Sequence, residues 1–204
     1  GVGAMMGLDP LISQALGARD EVRARRLLWQ GTWLALLVSG ALALPLAVSP
    51  LLLAPFGIDP AVVEQAGGYL WVRLVGIVPL LVFVVVRGYL QALGRTRPMV
   101  LAMIAANLVN VPATWLLVFG GSSLPGWLGF LHGIPSLGVI GAALATTLCA
   151  LVQLAIVAAA ANAIRVQGFH EIHRRLVRPE VAQAFRVGLP IGLQMAAEVS
   201  VFAL

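Results

Sequence analysis

The sequence contains no lysine, a single cysteine, two tyrosines and very little charge of either sign. Only 10% of its 204 residues are charged and 60% are hydrophobic, whereas soluble domains carry about 25% charged residues and 45–50% apolar ones. That shortfall excludes a soluble domain: water does not accept so much apolar surface, and a bilayer does. The single cysteine, Cys149, excludes an internal disulfide and reads as a small packing residue in an apolar run. All thirteen basic residues are arginine. With abundant Ala, Leu, Val and Gly, this fits the coding bias of a GC-rich bacterium and carries no mechanism. The net charge of +5 does not point to nucleic acid, because the arginines never form a patch interleaved with aromatics. A nucleophile elbow, a phosphate loop and paired carboxylates are also missing, which disfavours an enzyme. His170-Glu171-Ile172-His173 has the spacing H-x-x-H, not the H-E-x-x-H of zinc proteases. It stands in an arginine-rich stretch and reads as a solvated linker, so no metal site or cofactor is expected.

What is present is a series of long apolar runs: residues 1–16, 27–48, 67–89, 98–119 and 137–164, with a last one from 185. A spanning helix needs about 20 mostly apolar residues. The four inner runs meet that length, and the two end runs are marginal. The runs are continuous rather than alternating, and lipid leaves helices as the way to satisfy the backbone. The fold class expected is an all-α polytopic membrane bundle. No signal peptide opens the sequence; it starts at Gly1 and stops inside an apolar run, so a fragment of a longer chain is expected.

The arginines orient the helices. Linkers 17–26, 94–97 and 165–184 hold arginines, and linkers 49–66 and 120–136 hold none. The positive-inside rule places the three basic linkers in the cytoplasm. One helix more or fewer would break this alternation. Pro45, Pro79, Pro112 and Pro190 fall within spans and read as packing kinks. Gly138, Gly141, Ala142 and Ala145 suggest a tight helix–helix face. The tetrapeptide Gln-Ala-Leu-Gly occurs at residues 14–17 and 91–94, each time before arginines, and predicts a C-cap role for Gly17 and Gly94.

Ionisable groups at membrane depth are costly and mark function. Glu198 stands in the last apolar run among Ala196, Ala197, Val199 and Val201. About three turns into that run, it is expected near mid-depth. A carboxyl there is stable when protonated or when paired with a cation, which suits a coupling site for H⁺ or Na⁺. The competing reading is a structural ion pair, for instance with Arg73. Gln194 lies one turn earlier on the same face. Asp9, before Pro10, is either a polar group of the transport path or the stabiliser of a local helix break. Asn107 and Asn110 share one face and serve either interhelical hydrogen bonds or a cavity lining. Arg87 reads as a snorkelling side chain.

Several stretches resemble the multidrug and toxic compound extrusion (MATE) family of cation antiporters. Residues 9–18 (DPLISQALGA) look like the end of that family's second helix, and residues 87–98 (RGYLQALGRTRP) like its fourth-to-fifth helix junction. Residues 107–112 (NLVNVP) fit the fifth helix and residues 137–146 (LGVIGAALAT) the start of the sixth. Residues 189–192 (LPIG) with Glu198 and Phe202 are similar to the seventh helix of the NorM-like branch. The resemblance implies two six-helix lobes around a central cavity. It divides this chain into a partial first lobe (1–164), a cytoplasmic inter-lobe linker (165–184) and the start of the second lobe (185–204). It also carries a cation-coupling role to Glu198 and the family's fifth-helix asparagine to Asn110. Some branches place an Asp one turn further, where Thr114 stands here. The implied function is a bacterial inner-membrane antiporter that exports amphipathic or cationic drugs in exchange for Na⁺ or H⁺. Its partners would be lipids, such substrates and the missing second lobe. The alternatives are a lipid-linked oligosaccharide flippase of related architecture, for which only Arg73 offers cavity charge, and a non-transporting fragment.

Overall fold

The computed structural model describes residues 1–53, 59–123, 131–164 and 175–202. These form seven α-helices: α1 (Val2–Met6), α2 (Leu8–Gly17), α3 (Glu21–Leu53), α4 (Pro60–Ala92), α5 (Arg97–Phe119), α6 (Gly138–Asn162) and α7 (Arg178–Phe202). A 3-10 turn (Gly121–Ser123) follows α5, and no strand occurs among the described residues. The expected all-α membrane bundle is what forms. Four helices are long and apolar enough to cross a membrane, over Glu21–Pro50, Val62–Ala92, Arg97–Phe119 and Gly138–Asn162. These are the four inner apolar runs, the first two lengthened at both ends and the last two nearly unchanged.

The lengthening has a simple cause. Backbone hydrogen bonds continue past the apolar stretch wherever no strong stop signal intervenes. α3 and α4 each have 33 residues, about 50 Å of helix against a hydrocarbon core of about 30 Å. Much of the arginine-free stretch read as a linker over 49–66 is therefore helix. α7 likewise begins at Arg178, inside the stretch read as the 165–184 linker. Residues 165–174, including Arg165, Arg174 and the H-x-x-H stretch, lie outside the described residues, as does the side chain of Phe202.

α1 and α2 make one helix with a fault. Pro10 has no N–H to give the Met6 carbonyl, and its ring crowds that carbonyl. The helix breaks at Gly7, and Asp9 falls in the first turn of α2, where the exposed amides favour a carboxylate. The other inner prolines, Pro45, Pro79, Pro112 and Pro190, sit within continuous helices.

The helices pack in the sequence α5, α6, α4, α3, and α1–α2 lies against α3 and α4 on one side and α7 on the other. The most buried side chains are Met5, Leu8, Ile12, Leu81, Leu90 and Tyr89, where α1–α2, α3 and α4 meet. Small residues set the closest approaches. A Cβ at Gly141 would strike the Leu117 carbonyl, so α5 and α6 touch backbone to backbone. Ala145 on the same helix is fully buried, so the tight face read there forms at Gly141 and Ala145, whereas Gly138, expected on it, has nothing within 4 Å of a Cβ and takes a left-handed φ of 53° at the helix start. α1–α2 meets α7 in the same way. A Cβ at Gly7 would strike the Gly188 backbone, and one at Gly188 the Ala4 carbonyl. The two chains are antiparallel there, and Gly7 and Gly188 stand equally far from the cytoplasmic ends of their helices.

The two Gln-Ala-Leu-Gly ends close with the same hydrogen-bond pattern but with different residues in the left-handed position. After α4 it is Gly94 (φ 70°), as expected. After α2 it is Arg19 (φ 59°), not Gly17. The closing bonds are Arg95 N–H to Leu90 O at 2.9 Å and Asp20 N–H to Ala15 O at 2.9 Å. Gly17 is the last helical residue of α2, so the cap expected of it belongs to Arg19.

Candidate functional site

Glu198 sits on α7 with its side chain exposed, as are those of Leu193, Val199 and Val201 around it. The helical spacing brings Gln194 beneath it, and Gln194 Nε2 donates to Glu198 Oε1 at 3.1 Å. Ser200 turns instead to its own helix and donates to the Ala196 carbonyl at 2.7 Å. Among the described residues no cation pairs with Glu198; the ion pair with Arg73 does not form, and the salt bridge present joins Arg26 to Glu180 at 2.9 Å. Because α7 starts two turns earlier than the apolar run, Glu198 lies about 30 Å along the axis from Arg178 and about 18 Å from Arg186.

The other candidates lie elsewhere. Asp9 packs over Gly88 of α4, where a Cβ would collide with its Oδ1. Asn110 turns into the α5–α6 contact, its Nδ2 3.4 Å from Cys149 Sγ, and Cys149 in turn reaches the Ala106 carbonyl at 3.4 Å. Asn110 thus makes an interhelical contact here, one of the two readings its sequence position allowed. Asn107, one turn earlier, is exposed on α5. Among these candidates Gln194 and Glu198 are hydrogen-bonded to each other, whereas Asn107 and Asn110 lie one turn apart on α5, which packs on α6, and Asp9 lies on α2 against α4. A groove of about 580 Å³ opens between α3 and α7, lined by Leu34, Leu37, Val38, Ala41 and Phe185 together with Arg178. None of the candidate polar residues lines it. Among the described residues no cluster of His, Cys, Asp and Glu could hold a metal ion by itself.

Two buried polar residues missed in the sequence each make two hydrogen bonds to distant parts of the chain. Arg25, only 2% exposed, lies inside α3 rather than in a solvated linker. Its Nη1 donates to the Ala161 carbonyl at 2.8 Å and its Nη2 to Asn162 Oδ1 at 3.2 Å, while its Cζ stands 5.5 Å from the centre of the Tyr89 ring. It caps the C-terminus of α6, where the helix dipole favours a cation. Gln30, fully buried on α3, gives its Nε2 to the Arg175 carbonyl at 2.9 Å and accepts the Val177 N–H at 2.8 Å on its Oε1. The available signal was a lone amide inside the apolar run 27–48, of the kind that drew notice to Asn107.

Comparison with known proteins gives the frame for these placements. A family model described as MatE matches residues 1–116. A probable multidrug resistance protein NorM of Bradyrhizobium diazoefficiens is 35% identical over 210 residues, covering 100% of this chain and 42% of that protein. The multidrug resistance protein NorM of Aliivibrio fischeri is 28% identical, covering 100% of this chain and 43% of its own length. A solved structure described as the inward-facing conformation of a multidrug resistance MATE family transporter of the MOP superfamily superposes with a TM-score of 0.72. It has 24% identity and covers 94% of this chain and 41% of that one, a likeness of fold. The chain thus spans somewhat over two fifths of the length of the relatives it matches. With its span order, its arginine-marked linkers and more than half its length under the family model, the chain belongs to the MatE family of multi-pass membrane proteins.

Proposed function

We propose that this chain is part of a secondary antiporter of the bacterial inner membrane. It exports amphipathic, cationic compounds in exchange for Na⁺ or H⁺. The observation that carries the reading is Glu198: a carboxylate in the apolar run from 185 whose hydrogen bond among the described residues, at 3.1 Å, comes from Gln194 on its own helix. Such a group is stable in lipid surroundings when it takes up a proton or binds a cation. Cycling between loaded and free forms ties the ion's movement to rearrangement of the protein. The names of the relatives, multidrug resistance proteins, support drugs as the substrate class.

The mechanism is alternating access between two lobes. Helices α1–α6 belong to the first lobe, and α7 opens the second. Inward movement of the ion through Glu198 drives the lobes from one facing to the other, and the substrate leaves in exchange. The test uses a two-lobe protein containing this chain, expressed in cells loaded with a fluorescent cationic dye. Export driven by an ion gradient should fall to background in E198Q at unchanged membrane abundance. Export at the wild-type rate would remove Glu198 from the coupling step.

A further inference from the structure

The contacts joining α7 to the rest of the molecule differ in kind along its length. At the cytoplasmic end they are directional. Gln30 is 0% exposed and holds the chain just before α7 by both ends of its amide, to the Arg175 carbonyl at 2.9 Å and the Val177 N–H at 2.8 Å. Val177 is itself the start of the helix, since its carbonyl accepts from the N–H groups of Glu180 and Val181 at 3.1 Å each. One turn before Gln30 on α3, Arg26 pairs with Glu180 at 2.9 Å. Deeper in the membrane the contact is non-directional. Gly3 and Gly7 lie against Gly192 and Gly188, backbone on backbone, with the Met195 side chain also beside Gly3. Beyond Gly192 the side chains from Leu193 to Val201 are exposed, Met195 still lies beside Gly3, and among the described residues the hydrogen bonds of this stretch stay within α7.

We propose that Gln30 is a positioning residue of the transport cycle: it pins the N-terminus of α7 to α3 and sets the pivot about which the outer part of α7, with Glu198, moves against α1–α6. A buried amide bonded at both ends to main chain fixes position and direction together, because releasing the segment would leave the Gln30 amide itself unpaired away from water. Smooth glycine faces below the pin allow one helix to roll on the other without unlocking side chains. Gln30 touches neither ion nor substrate; it acts through α7. This inference rests on the transporter reading for its consequence, but the pin itself does not depend on what is carried.

The test uses the two-lobe protein with Cys149→Ala and spin labels at Arg23→Cys on α3 and Gln183→Cys on α7. Gln30→Leu removes both bonds, whereas Gln30→Glu keeps the acceptor for Val177 and loses the donor to Arg175. The label-to-label distance distribution should be single and narrow with Gln30, broad in Q30L and intermediate in Q30E. At equal membrane abundance Q30L should lower turnover roughly tenfold while the half-saturating substrate concentration stays within about twofold. Q30E should recover part of that turnover. Should Q30L fail to accumulate, the intermediate width and turnover of Q30E carry the test alone. An unchanged distance distribution would overturn the pin, and a broadened one with wild-type turnover would overturn the positioning role. Normal export by E198Q would instead remove the coupling reading and leave the distance result standing.

Discussion

Arg19, Arg23, Arg25 and Arg26 stand close together in the sequence, where all four mark the cytoplasmic side, yet the fold gives them separate tasks. Arg25 is turned inward to cap α6, and Arg26 pairs with Glu180. Arg19 occupies a left-handed backbone position with φ 59° that suits glycine. Replacing Arg25 by Met should destabilise the protein by about 2 kcal/mol, the worth of hydrogen bonds from a charged donor to buried acceptors. Thermal unfolding in detergent would show it, with Arg25→Lys recovering only part, since an ammonium lacks the two-pronged guanidinium. Arg19→Gly should have the opposite sign and raise stability by about 1 kcal/mol, because a residue without Cβ is not strained there. None of these differences was legible in the sequence. The partners of Arg25 are more than a hundred positions away, and the left-handed position after α2 fell two residues beyond the glycine that marked it.

Among the elements, the number and identity of the inner spans were legible because lipid enforces both length and continuity of the apolar run. Their ends were not, since a helix does not stop where hydropathy stops. The start of α7 could have been found. Pro179 and Glu180 in its first turn are ordinary helix-start residues, but the surrounding arginines made the stretch read as linker. The pairing of α1–α2 with α7 was invisible, because the glycines that permit it look the same in sequence as those facing open space. The structure separates them. Nothing lies within 4 Å of a Cβ built on Gly40 in α3, so Gly40→Ala should stabilise by about 0.5–1 kcal/mol through helix propensity. Gly188→Ala meets the Ala4 carbonyl and should cost about 1–3 kcal/mol as the helices are forced apart. Unfolding midpoints of the two variants, measured side by side, should move in opposite directions.

For the molecule as a whole, the alternation of arginine-bearing and arginine-free linkers fixes a topology that follows from insertion energetics alone. In a Cys149→Ala background, Arg95→Cys should react with an impermeant thiol reagent only from the cytoplasmic side. Ser136→Cys should react only from the outside; both sites are exposed. Labelling of both from one side would mean that a span is missing between them. The candidate site was only partly legible at this scale. Glu198 stood out as a charge in an apolar run, and its hydrogen-bond partner Gln194 was legible one turn earlier on the same face. The scatter of Asp9, Asn107 and Asn110 depended on packing that hydropathy does not encode. The central claim is that Glu198 couples an ion to export, and reciprocal flux tests it most directly. In proteoliposomes holding the two-lobe protein, an imposed substrate gradient should drive Na⁺ or H⁺ in the opposite direction with wild-type Glu198 and drive none with E198Q. Equal ion movement in the two proteins would contradict the account.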